Sequence, residues 1–520
     1  MMKTNRHMGM AALVLALVPG GVAAQGGGAE AAPPTPAPVP ASASASAPAR
    51  PQGAPISLSL RQALGLALTK SEEVRGAAAQ VDQAEAGVKG ARSAALPKVN
   101  TQLSYNRTLR SAFQGSGLGL PDSMKFTPDP NASVEDRLSY LEKNAPLAGL
   151  GGLSGAFSNL PFGKANTWQA GVTVTQPLYA GGQIRAGINA AEAGAEAAQA
   201  SLDEAKSQIV LDVKKAYYDA ALADQSARIV EASARLAREH LAQVKLQKEA
   251  GRVSDLEAMR AEVDAKNLEP QLVQANNARD VALLNLKRLI NVPMDTPVEL
   301  ATKLEPDSAE SARVAAVSMP SPDEAAPRLQ ARGAIAAAEH QVDMRKEQVS
   351  AAKGAYLPSV ALQGSMARQA YPTGAIPGSG DWRDDWSVGI TAQWSPFQGF
   401  KRSADVEQAN AQVTQSELQL DQLRESVRME YDQALGELKR AQTQVGAAQS
   451  TVAQAQRVYD LTEMRYREGL ATQLDVSNAR LSLQQAQLNQ VQALHDVYVA
   501  TARAERALGT PVDRSVLPAG

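Results

Sequence analysis

Apolar residues recur at every seventh position over two long stretches of the chain. Val406, Val413, Leu420, Val427, Ala434, Ala441, Ala448 and Ala455 form one series; Ile188, Ala195, Leu202, Ile209, Ala216, Ala223, Val230 and Ala237 form the other. A sustained period of seven predicts helices that supercoil against partners, here over about 182–250 and 401–468. The many alanines would let neighbouring backbones approach closely. At 1.5 Å per residue, a helix of about 69 residues spans roughly 100 Å. Helices expected over about 58–95 and 254–291 sum to a similar length, so end to end they would run antiparallel beside the first long helix. Pro270 falls inside the second of these and should kink or break it, because proline lacks the amide hydrogen.

Four shorter segments alternate with period two, and strands are expected at about 98–107, 167–178, 358–368 and 385–396. Val99, Thr101, Leu103 and Tyr105 share one face of the first; Asn100, Gln102, Ser104 and Asn106 share the other. In the second, Trp168, Ala170, Val172 and Val174 oppose Gln169, Gly171, Thr173 and Thr175. The third sets Val360, Leu362 and Met366 against Ala361, Gln363 and Ser365. The fourth sets Trp386, Val388, Ile390, Ala392 and Trp394 against Ser387, Gly389, Thr391 and Gln393. Alternation of this kind predicts a sheet covered on its apolar side. Runs of about ten residues have the length of membrane-spanning β-strands, and tryptophan near their ends suits an aromatic girdle. Val172 and Ile390 are then expected to face hydrocarbon, and Thr173 and Thr391 a lumen. Four strands cannot close a barrel, and open edges are not tolerated in lipid, so several copies are needed; three copies give twelve strands. A small soluble sheet packed on a helix would alternate in the same way.

The two halves of this pattern are copies. An offset of 218 pairs WQAGVTVTQPLYAGG, beginning at Trp168, with WSVGITAQWSPFQGF, beginning at Trp386; it still pairs Gly251 with Gly469 and Leu256 with Leu474. Upstream, Leu96-Pro97 meets Leu357-Pro358 at an offset of 261, so the first copy carries a longer loop, over about 108–166. The expected organisation is a first repeat over 56–291, a connection over 292–321, a second repeat over 322–508, and a tail over 509–520. Gly251 and Gly469 sit where long helices reverse, and a tight reversal needs a residue tolerant of positive φ.

Composition narrows the class. Only 4% of the 520 residues are aromatic, little for a large globular core, and there is no cysteine for disulfides, thiolate metal sites or lipid attachment. Lys3 and Arg6 precede an apolar run from Met8 to Val18, Pro19 and Gly20 break it, and Val22-Ala23-Ala24 offers a cleavage site. Residues 1–24 therefore read as a signal peptide, and 25–55, rich in Ala and Pro, as a disordered linker. The net charge of −2, near −4 without the leader, gives no sign of a nucleic-acid partner. His7, His240, His340 and His495 are scattered without ligand spacing and read as surface or packing residues. The glycines of 148–155 lack a phosphate-binding pattern. No catalytic constellation, cofactor site or metal site is read, and the chain is not expected to be an enzyme.

These residues together resemble the TolC family of outer-membrane efflux channels, over about 56–509. The resemblance rests on the two Leu-Pro joins, QPLYAGG at 176–182 and its weaker copy SPFQGF at 395–400, and the turns EAGRVSDLEAMRAE at 249–262 and REGLATQLDVSNAR at 467–480. It implies a mainly α fold with a membrane β-barrel: a homotrimer with a twelve-stranded barrel in outer-membrane lipid, a helical barrel crossing the periplasm, and an equatorial region containing 292–321. It also implies two partners, a periplasmic adaptor protein and an inner-membrane transporter, with the adaptor docking at the helical tips around Gly251, Val253, Ser254, Gly469, Ala471 and Thr472. Asp475 matches an acidic position ringing the periplasmic entrance. Asn478 stands where a second acid is common, so a double ring is a departure. Glu257 matches an acidic position after the first tip, and Tyr466 a tyrosine that latches to it. Each acid would otherwise be an ordinary solvated helix residue. The alternative to an export conduit is a periplasmic coiled-coil scaffold that never enters the membrane.

Overall fold

The computed structural model describes residues 56–110, 129–145, 165–301, 304, 314, 316–372 and 374–509. The expected signal peptide and linker, much of the 108–166 loop and the tail after residue 509 lie outside these residues. The chain runs β1 (Ile56–Leu58), α1 (Leu60–Lys70), α2 (Glu72–Ser93), β2 (Lys98–Arg107), β3 (Asn166–Ala180), α3 (Gln183–Glu249) and α4 (Asp255–Leu289). It continues β4 (Val298–Leu300), α5 (Pro322–Gln330), α6 (Gly333–Gly354), β5 (Ser359–Ala370), β6 (Trp382–Gln393), α7 (Lys401–Arg467) and α8 (Gln473–Ala507). No described helix is long and apolar enough to cross a membrane.

The heptad positions turn inward along both long helices. Leu202, Ile209, Ala216, Val230, Ala237, Leu420, Val427, Ala434 and Ala441 are buried, the others of the two series are half-buried, and none is exposed. Two expectations need correction. The helix over 58–95 is two helices, broken at Ser71, whose backbone is extended (ψ 136°) and whose Oγ accepts from the Glu73 amide. Arg332 breaks the second copy at the corresponding place, between α5 and α6. Of the kink or break expected at Pro270, the break is absent: α4 continues through it. Pro270 lies on the exposed side, so the carbonyl it leaves unpaired one turn earlier can be solvated.

The four long strands form one antiparallel sheet in the order β2-β3-β5-β6. Its register stacks the alternating positions into rows. On one face lie Tyr105, Trp168, Ala370 and Trp382; then Leu103, Ala170, Arg368 and Asp384; then Thr101, Val172, Met366 and Trp386; then Val99, Val174, Gly364 and Val388. On the other face lie Asn100, Thr173, Ser365 and Ser387, followed by Lys98, Thr175, Gln363 and Gly389. The apolar face is bare in the single chain: Trp386 is 70%, Val388 82% and Ile390 68% exposed. An ion pair on it, Arg368 with Asp384, sits at the loop end, with Nε 2.6 Å from Oδ1. At the helix end Trp394, Phe397 and Phe400 are exposed. Phe400 holds φ +64° where the first copy has Gly182 at φ +82°. A bulky residue at positive φ is strained; here it presents an aromatic ring beside Phe397.

Helices α1–α4 and α8 share a core around Val213, Tyr217, Leu286, Ile290, Leu494 and Tyr498, and α5–α8 pack a second around Leu329, Ile335, Leu420, Val427 and Tyr431. Tyr217 donates to the Leu58 carbonyl at 3.0 Å, tying α3 to the small parallel β1–β4 sheet. Charged groups join the two repeats. Arg332, 4% exposed at its side chain, bonds Glu204 of α3 and Glu430 of α7, and Arg506 of α8 bonds the same two acids. His495 of α8 lies 2.7 Å from Asp219 on α3 and 3.2 Å from Asp496.

Candidate functional site

The ends of the long helices, far from the sheet, are built from two copies of one turn. At the end of α3 the Gly251 amide bonds the Lys248 carbonyl and the Arg252 amide bonds that of Gln247, both at 2.9 Å. At the end of α7 the Gly469 amide bonds the Tyr466 carbonyl at 3.0 Å and the Leu470 amide bonds that of Arg465 at 2.8 Å. These paired bonds are the Schellman arrangement. It needs a left-handed residue, and the glycines have φ +71° and +77°. The next helix starts three or four residues later on a hydroxyl cap. Ser254 Oγ accepts from the Glu257 amide at 3.3 Å, and Thr472 Oγ1 from the Asp475 amide at 3.3 Å.

Asp475 completes that second cap. Its Oδ2 accepts from the Thr472 amide at 2.8 Å and the Thr472 hydroxyl at 2.7 Å. The hydrogen bonds from the Thr472 side chain and backbone hold the carboxyl below the usual aspartate range. The side chain stays exposed, as does Asn478 one turn on. Asp475 is therefore both a fixed cap and a charge open to solvent at the tip.

Behind the turns, the two hairpins meet in a small apolar cluster. Val244 of α3, Ala258 and Ala261 of α4, Tyr466 of α7 and Val476 of α8 are buried there, with Val253 and Ala471 half-buried at its rim. Tyr466 lies near Glu257, but its hydroxyl is buried and makes no hydrogen bond. Burial, and then the Glu257 charge, push the phenol pKa up. The Tyr466 ring packs instead against His240 of α3, centroids 5.1 Å apart, and His240 Nε2 is likewise buried and unpartnered.

The polar bond between the hairpins is one the sequence reading missed. Arg480 of α8, 4% exposed, donates to Asp264 Oδ1 on α4 and to Ser233 Oγ on α3, each at 2.7 Å. A signal was present: Val476, Arg480 and Leu483 lie at helical spacing on one buried stripe, so a charge falls on an apolar face. A buried charge demands a partner. Beside the bond, Met259, Val263, Asn267, Leu474 and Ser477 line a groove between α4 and α8. Leu246 and Leu470, flanking the two turns, are 68% and 64% exposed.

Comparison with known proteins fits this geometry. Residues 63–292 and 328–510 match the family model described as outer membrane efflux protein. Outer membrane efflux protein BepC of Brucella suis is 29% identical over 249 residues, 47% of this chain and 54% of its own length. The match thus spans about half of that relative. The fold is that of solved outer-membrane channels. The CmeC channel of Campylobacter jejuni superposes with a TM-score of 0.65 at 18% identity, over 88% of this chain and 86% of its own. VceC of Vibrio cholerae gives 0.63 at 18%, over 86% and 96%. MtrE of Neisseria gonorrhoeae, in its open state, gives 0.63 at 18%, over 88% and 90%. The family is one of channels rather than enzymes, and since its model matches well over half of the residues, the chain belongs to the outer membrane efflux protein family.

Proposed function

We propose that three copies of this chain form one outer-membrane export conduit, fed at the helical tips by a periplasmic adaptor and an inner-membrane transporter. The observation that carries the reading is the four-stranded sheet, with an exposed face that is mainly apolar below the Arg368–Asp384 pair and two unpaired edges, β2 and β6. In lipid an unpaired edge leaves backbone groups without partners, which excludes an open sheet. β2 runs away from the helices and β6 runs back toward them, so β2 of one copy meets β6 of the next antiparallel. Three copies then close twelve strands with the polar face inward. A scaffold that stayed in the periplasm would have no use for Trp386, Val388 and Ile390 in the open. The exposed Leu246 and Leu470 support adaptor docking at the tips, and Asp475 supplies one carboxylate per copy at the entrance. Native mass spectrometry of the detergent-solubilised protein tests the assembly: a trimer is expected, and a monomer retaining all its β-structure would overturn it.

A further inference from the structure

The tip cluster contains two buried polar atoms that the conduit reading leaves unused, His240 Nε2 and the Tyr466 hydroxyl. Buried groups of this kind are ordinarily hydrogen-bonded. Both lie where α3 of the first hairpin faces α7 of the second; along the chain His240 comes about ten residues, or roughly 15 Å, before its turn glycine Gly251, and Tyr466 less than one helical turn before Gly469. We infer that His240 is a proton-binding site whose occupation drives the second hairpin off the first and opens the periplasmic entrance. The inference rests on the conduit reading and adds a chemical trigger to it.

Every charged neighbour bears on this. From α4, Asp264 faces the imidazole, but it is already bonded to Arg480. From α8, Arg480 itself faces it, as a like charge once the imidazole is protonated. From α7, Glu463 faces it while pairing with Arg467 at 2.5 Å, and Tyr459 and Tyr466 add neutral phenols. Glu257 of α4 lies by Tyr466. An imidazolium carries a proton on both nitrogens, and its buried Nε2–H has no hydrogen-bond partner in the packed tip. Packed, it either competes with Arg480 for the Asp264 carboxylate or stays buried without a partner, and both costs are relieved when the ring leaves the cluster for water. Tyr466, packed on the same ring, leaves with it, and its hydroxyl gains water.

The sign follows from burial. Packed, His240 is held below the usual histidine range, first by desolvation and further by Arg480, with Asp264 and Glu463 pulling the other way. Released into water it regains a pKa near 6.5. A proton therefore binds the separated tips more tightly than the packed ones. The opening equilibrium shifts by up to about tenfold per pH unit in each copy as pH falls below about 6.5, and levels off below the packed pKa.

The test uses the intact channel in planar bilayers between about pH 7.5 and 5.5. The open fraction is expected to rise on acidification, and His240→Phe, which keeps the ring and loses the proton site, should flatten that rise. A wild-type channel whose opening ignores pH, or a His240→Phe channel with the same slope, overturns the inference. If His240→Phe fails to assemble, His240→Gln takes its place. The chain has no cysteine, so spin labels at Arg252→Cys and Leu470→Cys report tip separation without requiring a pore. Distances that lengthen at low pH without conductance at any pH would sink the conduit reading and keep the trigger. Conductance with pH-invariant distances would do the reverse.

Discussion

Arginine placed at Ile390 should prevent trimer assembly, whereas arginine at the next residue should not. Ile390 lies on the apolar face of β6, four residues from Trp386 on one side and four from Trp394 on the other. Four residues of strand cover about 14 Å, or about 10 Å along the membrane normal at a tilt near 40°. Ile390 thus sits midway through an apolar band of about 20 Å between two tryptophan levels. An arginine facing lipid at the midplane costs about 2–4 kcal/mol. Threefold symmetry makes that about 6–12 kcal/mol per trimer, comparable with the whole stability of an ordinary domain. Thr391 points to the opposite face, where its hydroxyl lies 3.4 Å from Gln363 Oε1, and an arginine there stands in water. Outer-membrane fractionation with semi-native electrophoresis measures trimer per chain made. Ile390→Arg should deplete it severely and Thr391→Arg only slightly. Equal yields, or a greater loss with Thr391→Arg, would refute the assignment of faces.

Two further outcomes concern single charges. In the proposed trimer, Asp475→Asn keeps an acceptor for the Thr472 cap but removes one carboxylate per copy from the entrance, so cation selectivity in bilayer recordings should fall while the fold persists. In the wild type that selectivity should last into mildly acidic solution, because the cap depresses the Asp475 pKa; selectivity unchanged by the substitution would mean the residue does not face the conduit. For His495, burial disfavours the charged form, but Asp219 and Asp496 outweigh it and raise the pKa. Its contribution to stability is therefore complete below about pH 6.5 and is lost as pH rises through the raised value. Thermal unfolding across that window should fall more steeply for the wild type than for His495→Gln, and identical slopes would exclude the charged pair.

The periodic parts of the fold were legible because each obeys one local rule. Seven-residue spacing identified the inward edge of α3 and α7, and two-residue alternation assigned the strand residues named above to the faces they occupy, except Trp394, which lies just past the end of β6. The break at Ser71 was also readable, since Ser-Glu-Glu opens α2 with a hydroxyl cap and acids in the first turn. Its counterpart was not. Arg332 makes no side-chain cap and is held by acids on α3 and α7, more than ninety residues away on either side. Strand β6 begins at Trp382, a few residues before the expected start, because its pairing with β5 runs on as far as Ala370.

The tip divides along the same line. Its turns are local chemistry: a glycine at positive φ, then a hydroxyl, then an acid three residues on. What holds the two turns together is not local. Arg480 and Asp264 are 216 residues apart, and the pair is not duplicated: the position equivalent to Arg480 in the first copy is Glu262, and that equivalent to Asp264 in the second is Ser482. That asymmetry has a consequence. In the proposed trimer, if the copies were chemically identical, the contact of the first hairpin with the second would equal that of the second with the first hairpin of the next subunit, and nothing would distinguish separation within a subunit from separation between subunits. With Arg480, Tyr466 and His240 each present in one copy only, the contact inside the subunit carries a buried ion pair and two unpartnered polar atoms. A ligand as small as a proton can then act on that contact alone.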